Sequence, residues 1–297
     1  MSFNKTIFLT GSTGFVGTNL KGKFINKYTI VDYERNTQPV INTNAVIHLA
    51  GKAHDLKNVL KPDDYYEVNY ELTKKMFDNF LISESKVFIF LSSIKAVVDD
   101  LNSELTEEQI PTPRTHYGKS KLLAEKYILS KKIPKSKRVY ILRPSMIHGP
   151  GNKGNLNLLY NILKKGFFWP LGSFKNKRSY CSIDNLLFII DEIIENENIE
   201  SGIYNIADDE SISTNEIVKL ASFTLNKRIF ILNLPKSLVK IIAFIGDYLM
   251  LPINTERLSK LTNSCVVSNA KVKNAIKKSL PLSVSAGLIK TFNSFVF

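Results

Sequence analysis

Ile7-Phe8-Leu9-Thr10-Gly11-Ser12-Thr13-Gly14-Phe15-Val16-Gly17 decides the fold of this chain. The apolar run ending at Thr10 reads as a buried strand, and Leu20 and Phe24 then recur at helical spacing. Strand, glycine turn and helix in that order form the context of a dinucleotide-binding fingerprint. The glycines let backbone N–H groups approach a pyrophosphate at the helix N-terminus, where the helix dipole favours an anion. The spacing is Gly-x-x-Gly-x-x-Gly rather than Gly-x-Gly-x-x-Gly. Gly11, Thr13, Gly14, Phe15, Val16 and Gly17 are therefore candidates to hold a dinucleotide.

Downstream, Tyr28 to Val31 reads as a second strand that delivers Asp32, 21 positions after Gly11. An acid there suits the adenosine ribose hydroxyls and favours NAD. Arg35 keeps NADP open, because an arginine can accept a 2′-phosphate. Further on stands His116-Tyr117-Gly118-Lys119-Ser120-Lys121. Tyr117 and Lys121 are one helical turn apart and share a helix face. A cation beside a phenol lowers its pKa toward the range of a general base.

With these residues in place, the chain resembles the extended short-chain dehydrogenase/reductases. More narrowly, it is similar to the nucleotide-sugar epimerase/dehydratase family over nearly its whole length. Val46-Ile47-His48-Leu49-Ala50-Gly51 resembles the family's third-strand motif, which packs against the cofactor, with Lys52 next in line. Asn69 resembles the asparagine that supports the active site. Phe88-Ile89-Phe90-Leu91-Ser92-Ser93 resembles the strand that delivers the catalytic serine, which falls on Ser93. Leu142-Arg143-Pro144-Ser145-Met146-Ile147-His148-Gly149-Pro150 is similar to the strand and loop beside the nicotinamide.

The resemblance implies a catalytic set of Ser93, Tyr117 and Lys121. It adds Leu49, Ala50, Gly51, Lys52, Asn69 and Pro144 to the cofactor candidates, together with Tyr117 and Lys121. On the substrate side it implies Ser92, Ser93, Lys95 and Tyr117. Arg178, before Ser179-Tyr180, stands where the family's arginine meets a nucleotide diphosphate. Lys153 and Asn155 are expected opposite it, at the lip of the cleft.

Three departures qualify the resemblance. Only 12 residues lie between Asp32 and Ala45, where the family fits a further strand and helix. That strand is expected to be missing or vestigial, with few adenine contacts. His148 stands where a tyrosine is usual. Ile94-Lys95 replaces the Asp-Glu pair of the 4,6-dehydratases, which argues against dehydration. The Ser-Ser-Ile-Lys stretch resembles a subgroup acting on 2-acetamido sugars in polysaccharide assembly.

The expected fold is α/β, a Rossmann-type doubly wound parallel sheet with a smaller C-terminal substrate lobe. Residues 1–150 form the NAD(P)-binding unit. Residues 151–297 form mainly the substrate lobe, with 179–206 returning to the sheet. The expected activity is oxidoreduction at carbon 4 of a nucleotide-diphosphate or polyprenyl-diphosphate sugar. A UDP-N-acetylhexosamine-type 4-epimerase leads, a 4-ketoreductase is the alternative, and a non-catalytic dinucleotide-binding regulator is the rival from another class.

The formal charge of +13 is spread along the chain, which suits anionic substrates rather than a nucleic-acid partner. Two cysteines and four histidines without ligand spacing indicate neither a disulfide framework nor a metal. His48 and His116 read as structural. No signal peptide is evident, so a cytoplasmic enzyme is expected, with the inner membrane face as an alternative place of work. Between Leu234 and Pro252, Leu238, Ile241, Ile242, Ile245 and Leu249 recur at helical spacing. This reads as a core-facing helix, with a weak membrane-surface contact as the alternative because Phe244 and Tyr248 share the segment. A homodimer is left open.

Overall fold

The computed structural model describes residues 5–295, apart from 36, 38, 40, 54–60, 100, 102, 153 and 250–253. The elements alternate through the first half of the chain. They run β1 (Thr6–Thr10), α1 (Phe15–Phe24), β2 (Thr29–Asp32), β3 (Ala45–His48), α2 (Pro62–Tyr66), α3 (Leu72–Ile82) and β4 (Val87–Leu91). A π-helical turn, Glu67–Glu71, joins α2 to α3. Then come α4 (His116–Ser130), β5 (Arg138–Pro144), β6 (Met146–His148), α5 (Asn155–Lys165), β7 (Phe168–Trp169), β8 (Tyr180–Ser182), α6 (Ile183–Glu195) and β9 (Gly202–Ile206). The chain ends with α7 (Thr214–Thr224), β10 (Phe230–Ile231), α8 (Lys236–Tyr248), α9 (Thr255–Thr262), α10 (Ala270–Ile276) and α11 (Val284–Asn293).

Six strands make one sheet in the order β2-β1-β3-β4-β5-β9, every neighbouring pair parallel. Because helices cover both faces, its central strands are apolar on both sides. Ile7, Leu9, Ile89 and Leu142 meet α1 and α6 on one face. Phe8, Phe88, Phe90 and Ile141 meet α3 and α4 on the other. This is the Rossmann-type arrangement expected from the sequence.

Among the described residues no strand lies between Asp32 and Ala45, so β2 is the sheet edge and is largely exposed. The short link is instead tied to α3, where Lys75 Nζ donates to the Thr37 carbonyl at 2.9 Å. A separate core gathers α5, Trp169, α7 and α11 around Tyr160, Ile217 and Phe292. Two short parallel pairs, β6–β8 and β7–β10, complete the strand set.

One expectation reverses. The recurring row Leu238, Ile241, Ile242, Ile245 and Leu249 is exposed. The α8 residues that face inward are Val239, Ala243 and Gly246. Small side chains at i, i+4 and i+7 let the helix lie close on the lobe, and the bulky row is left on the outside. Among the described residues, no helix is long and apolar enough to cross a membrane.

Candidate functional site at the C-terminal ends of the central strands

The glycine turn fits a dinucleotide. Gly11 has φ +71°, in the left-handed region. A Cβ on Gly17 would lie 2.3 Å from the Gly11 carbonyl oxygen, so α1 starts tightly against the turn. Gly14 caps α1 without any side-chain cap, and the first turn carries no acid. Uncapped N–H groups at an acid-free helix start, with Thr13 and Gly14 exposed beside them, are what an anion requires. Asp32 ends β2 next to this turn, and its carboxylate meets Lys21 Nζ at 2.6 Å.

The next strand ends at Leu49-Ala50-Gly51-Lys52, which Asn69 holds from behind. Asn69 Oδ1 accepts from Lys52 N at 2.8 Å, and Nδ2 donates to Lys52 O at 3.0 Å and Ser120 Oγ at 2.9 Å. Asn69 is fully buried, so its own polar atoms are spent on the loop and on α4. It braces the backbone of this loop against α4. Lys52 Nζ pairs with Asp64 on α2 at 2.9 Å. Pro144 is buried at the end of β5, beside Ile206 of β9.

β4 delivers the serines. Ser93 opens a 3-10 turn, Ile94–Ala96, its hydroxyl accepting from Lys95 N at 3.2 Å. That hydroxyl also faces the Tyr117 phenol, closely enough to favour its charged form. The pairing depends on a close approach. A Cβ on Gly118 would sit 2.3 Å from the Lys95 carbonyl oxygen, so the first turn of α4 rests directly on the serine loop. Thr115 caps α4 through Gly118 N, and Asp99 accepts from the Arg114 and Thr115 amides.

Lys121 lies one turn beyond Tyr117, buried, with Nζ donating to the Leu91 carbonyl at 2.9 Å. Gly51 borders the same space, since a Cβ there would be 3.0 Å from Lys121 Nζ. Burial pushes the ammonium down to about 8, while the Glu125 carboxylate pulls it up. Tyr117 is raised above the usual phenol value by burial, and the Ser93 hydroxyl opposes the rise. The expectation that Lys121 lowers the phenol is therefore not met in this arrangement, in which Ser93 does so.

Two expected substrate residues are committed elsewhere. Ser92 is buried and donates to Glu125, whose carboxylate also takes Arg143 Nη2 at 2.6 Å and Nε at 3.0 Å. Lys95 Nζ donates to the Asp99 carbonyl at 2.6 Å. A side chain facing the sheet interior, and another tied into its own loop, brace the site instead of lining it. Asn155 is exposed at the start of α5, and Lys153 lies outside the described residues. Arg178 is part-buried and donates to the Lys260 carbonyl of α9.

The histidines are structural where they are buried. His48 sits between Thr10 Oγ1 at 2.7 Å and Thr73 Oγ1 at 2.9 Å. Burial first, then the Lys121 charge, holds its pKa down to about 3, so the ring is neutral. His148 bonds Thr291 Oγ1 at 2.9 Å and approaches Asp208 at 3.5 Å. Asp208 in turn holds Ser182 N and Asn185. Among the described residues, no cluster of His, Cys, Asp or Glu could hold a metal. Glu125, which bonds Ser92 and Arg143 and pulls Lys121 up, is the neighbour that motif reading passes over; its signal is the same four-residue step repeated from Lys121.

The sequence profile of the NAD dependent epimerase/dehydratase family matches residues 29–207. A UDP-glucose 4-epimerase of Vibrio cholerae is 30% identical, covering 98% of this chain and 96% of that protein. An N-acetyl-alpha-D-glucosaminyl-diphospho-ditrans,octacis-undecaprenol 4-epimerase of Escherichia coli O157:H7 is 29% identical over 91% of this chain and 85% of its own. The crystal structure of a UDP-N-acetylglucosamine 4-epimerase from Bacillus cereus shares the fold, with TM-score 0.76 at 17% identity, covering 99% of this chain and 100% of that one. The matched stretch runs from the edge strand of the sheet to the strand that closes it, more than half the chain, and this protein is an enzyme of the NAD-dependent epimerase/dehydratase family.

Proposed function

We propose that the protein is a 4-epimerase of an N-acetylhexosamine carried on a diphosphate, either a UDP-sugar or a polyprenyl-diphosphate sugar. The observation that carries this reading is the seating of the first turn of α4 on the serine loop at Gly118, which brings Tyr117 to Ser93 with Lys121 one helical turn away. Both full-length relatives described above are sugar 4-epimerases, which supports carbon 4 as the reacting centre.

Gly11 to Gly17 and Asp32 would hold the dinucleotide on one side, and the backbone of Leu49 to Lys52 on the other. When bound, NAD supplies a hydride acceptor that later gives the hydride back. Tyr117, as the phenolate, takes the proton of the 4-hydroxyl and returns it to the oxygen of the epimerised product. Ser93 holds the reacting oxygen in line, which converts binding into orientation. Lys121 would bond the nicotinamide ribose. Ile94-Lys95 after Ser93 offers no carboxylates for removing water, so the reaction stops at the carbon 4 exchange. We infer cytoplasmic chemistry, close to the inner membrane face if the carrier is a lipid.

The test is an assay with UDP-N-acetylhexosamines, alongside mass spectrometry of whatever copurifies. Interconversion of the two 4-epimers without net NAD(P)H consumption is expected. Stoichiometric NAD(P)H consumption with a 4-keto sugar would make the enzyme a ketoreductase. Dinucleotide binding with no turnover of either substrate class would leave only a regulator.

A further inference from the structure

We propose that the outward face of α8, together with the β7–β10 ribbon before it, docks on an anionic lipid bilayer. The inference does not rest on the sugar or carrier assigned above. α8 puts only Val239, Ala243 and Gly246 against the protein. Its other side presents Leu238, Ile241, Ile242, Phe244, Ile245 and Leu249, with Phe244 at 69% exposure. Tyr248, at 89%, stands at the helix end. Monomeric surfaces carry isolated apolar residues, but a continuous row at helical spacing marks an interaction face.

The ribbon before the helix is apolar on its outside as well. Phe167, Phe168 and Phe230 are exposed on the ribbon, and the Phe168 and Phe230 rings lie 6.2 Å apart. The segments leaving the two ribbon strands are tied to each other just before α8, where Ser173 Oγ donates to the Leu234 carbonyl at 2.6 Å. Phe174 then shares a groove with Ile241 and Phe244.

Charge selects the occupant. Lys227 Nζ lies 4.0 Å from the Phe167 ring centre, and Arg228 lies 5.0 Å from that of Phe230. Lys236 stands over Phe174 at 5.8 Å, and Lys240 lines the groove with Ile241. Apolar side chains rimmed by cations, on a helix flanked by aromatic rings, suit the boundary between acyl chains and anionic headgroups.

The experiment is co-sedimentation of the full chain with phosphatidylcholine vesicles, with and without about one-third phosphatidylglycerol. Wild type is expected to bind the phosphatidylglycerol vesicles and to release as salt is raised. The double variant Ile241→Glu with Ile245→Glu should bind about ten-fold more weakly or worse, with a cooperative melting transition retained because about half of each side chain is exposed. Lys227→Gln with Arg228→Gln should reduce the preference for phosphatidylglycerol. Failure of wild type to bind either vesicle overturns the proposal, as does undiminished binding by the glutamate variant. Concentration-dependent self-association that the glutamate variant abolishes, without vesicle binding by wild type, would assign the face to a second copy and overturn it as well.

Discussion

Tyr117 and Lys121 each make a separate prediction. The phenol faces Ser93, while the ammonium one turn away rests on the Leu91 carbonyl. Tyr117→Phe removes the proton acceptor and leaves the glycine turn untouched. Turnover should fall by about 100-fold or more with dinucleotide binding retained, measured by steady-state assay and by titration. Near-normal turnover would remove Tyr117 from the chemical step. The charge on Lys121 gives a pH signature. Burial holds its pKa down to about 8, so it is cationic below that pH and loses its proton above it. Activity that needs the cation should therefore decline on the alkaline side near pH 8. Glu125 is the group pulling this pKa up, so Glu125→Gln should move that alkaline limb of kcat/KM to lower pH. The same change leaves Arg143 buried without its carboxylate, a loss of about 3–5 kcal/mol. A melting curve must therefore accompany the pH profile. A destabilised variant with an unmoved limb would make Glu125 a structural residue only.

At the level of elements, the decisive contact is the first turn of α4 on the loop after β4. Gly118→Ala would put a methyl 2.3 Å from the Lys95 carbonyl oxygen, and the oxygen belongs to backbone that cannot rotate away. The helix must shift, which should cost about 1–3 kcal/mol of stability. Turnover should fall further than that loss suggests, because Ser93 and Tyr117 lie on the two sides of the contact. Equal activity in the variant would show that their spacing tolerates the shift. β2 offers a second test. It ends at Asp32 on an open sheet edge, so ribose recognition has few other candidates there. NAD should bind more tightly than NADP, and Asp32→Asn should narrow the difference; tighter NADP binding by wild type would give the role to Arg35. The alternation of apolar strands with helical patterns made the sheet legible, because a parallel sheet covered on both faces writes itself as continuous apolar runs. Ser93, Tyr117 and Lys121 were legible because each sits at a fixed step from a strand end or along one helix face. The roles of Ser92 and Lys95 were not, since adjacent residues on a turn point in unrelated directions and only packing decides which one meets Glu125 or Asp99. The direction of α8 was misread for a related reason. Helical periodicity locates an apolar row but does not say whether protein or something else covers it.

Across the whole molecule, the +13 charge is a long-range attraction for anions, and Arg178 is where that field would become a specific contact. Its backbone is clamped between Ile212 and Cys265, and its guanidinium donates to the Lys260 carbonyl at the end of α9. A carbonyl takes one of the five donors that a guanidinium carries, so the planar fork retains capacity for a phosphate. Two roles follow that a single variant separates. If Arg178 meets the substrate diphosphate, Arg178→Ala should raise KM by about 10-fold or more, in line with one charge-assisted contact of about 1.5–3 kcal/mol. Saturated turnover should change far less, because the carrier phosphates are remote from carbon 4. The rise should shrink as salt is added, since added ions weaken the wild-type contact as well. If instead Arg178 only ties the segment before β8 to α9, the variant should lose melting temperature and keep its KM at both low and moderate salt. That second outcome would take Arg178 out of the binding site and leave the diphosphate carrier to be identified by the copurifying ligand alone.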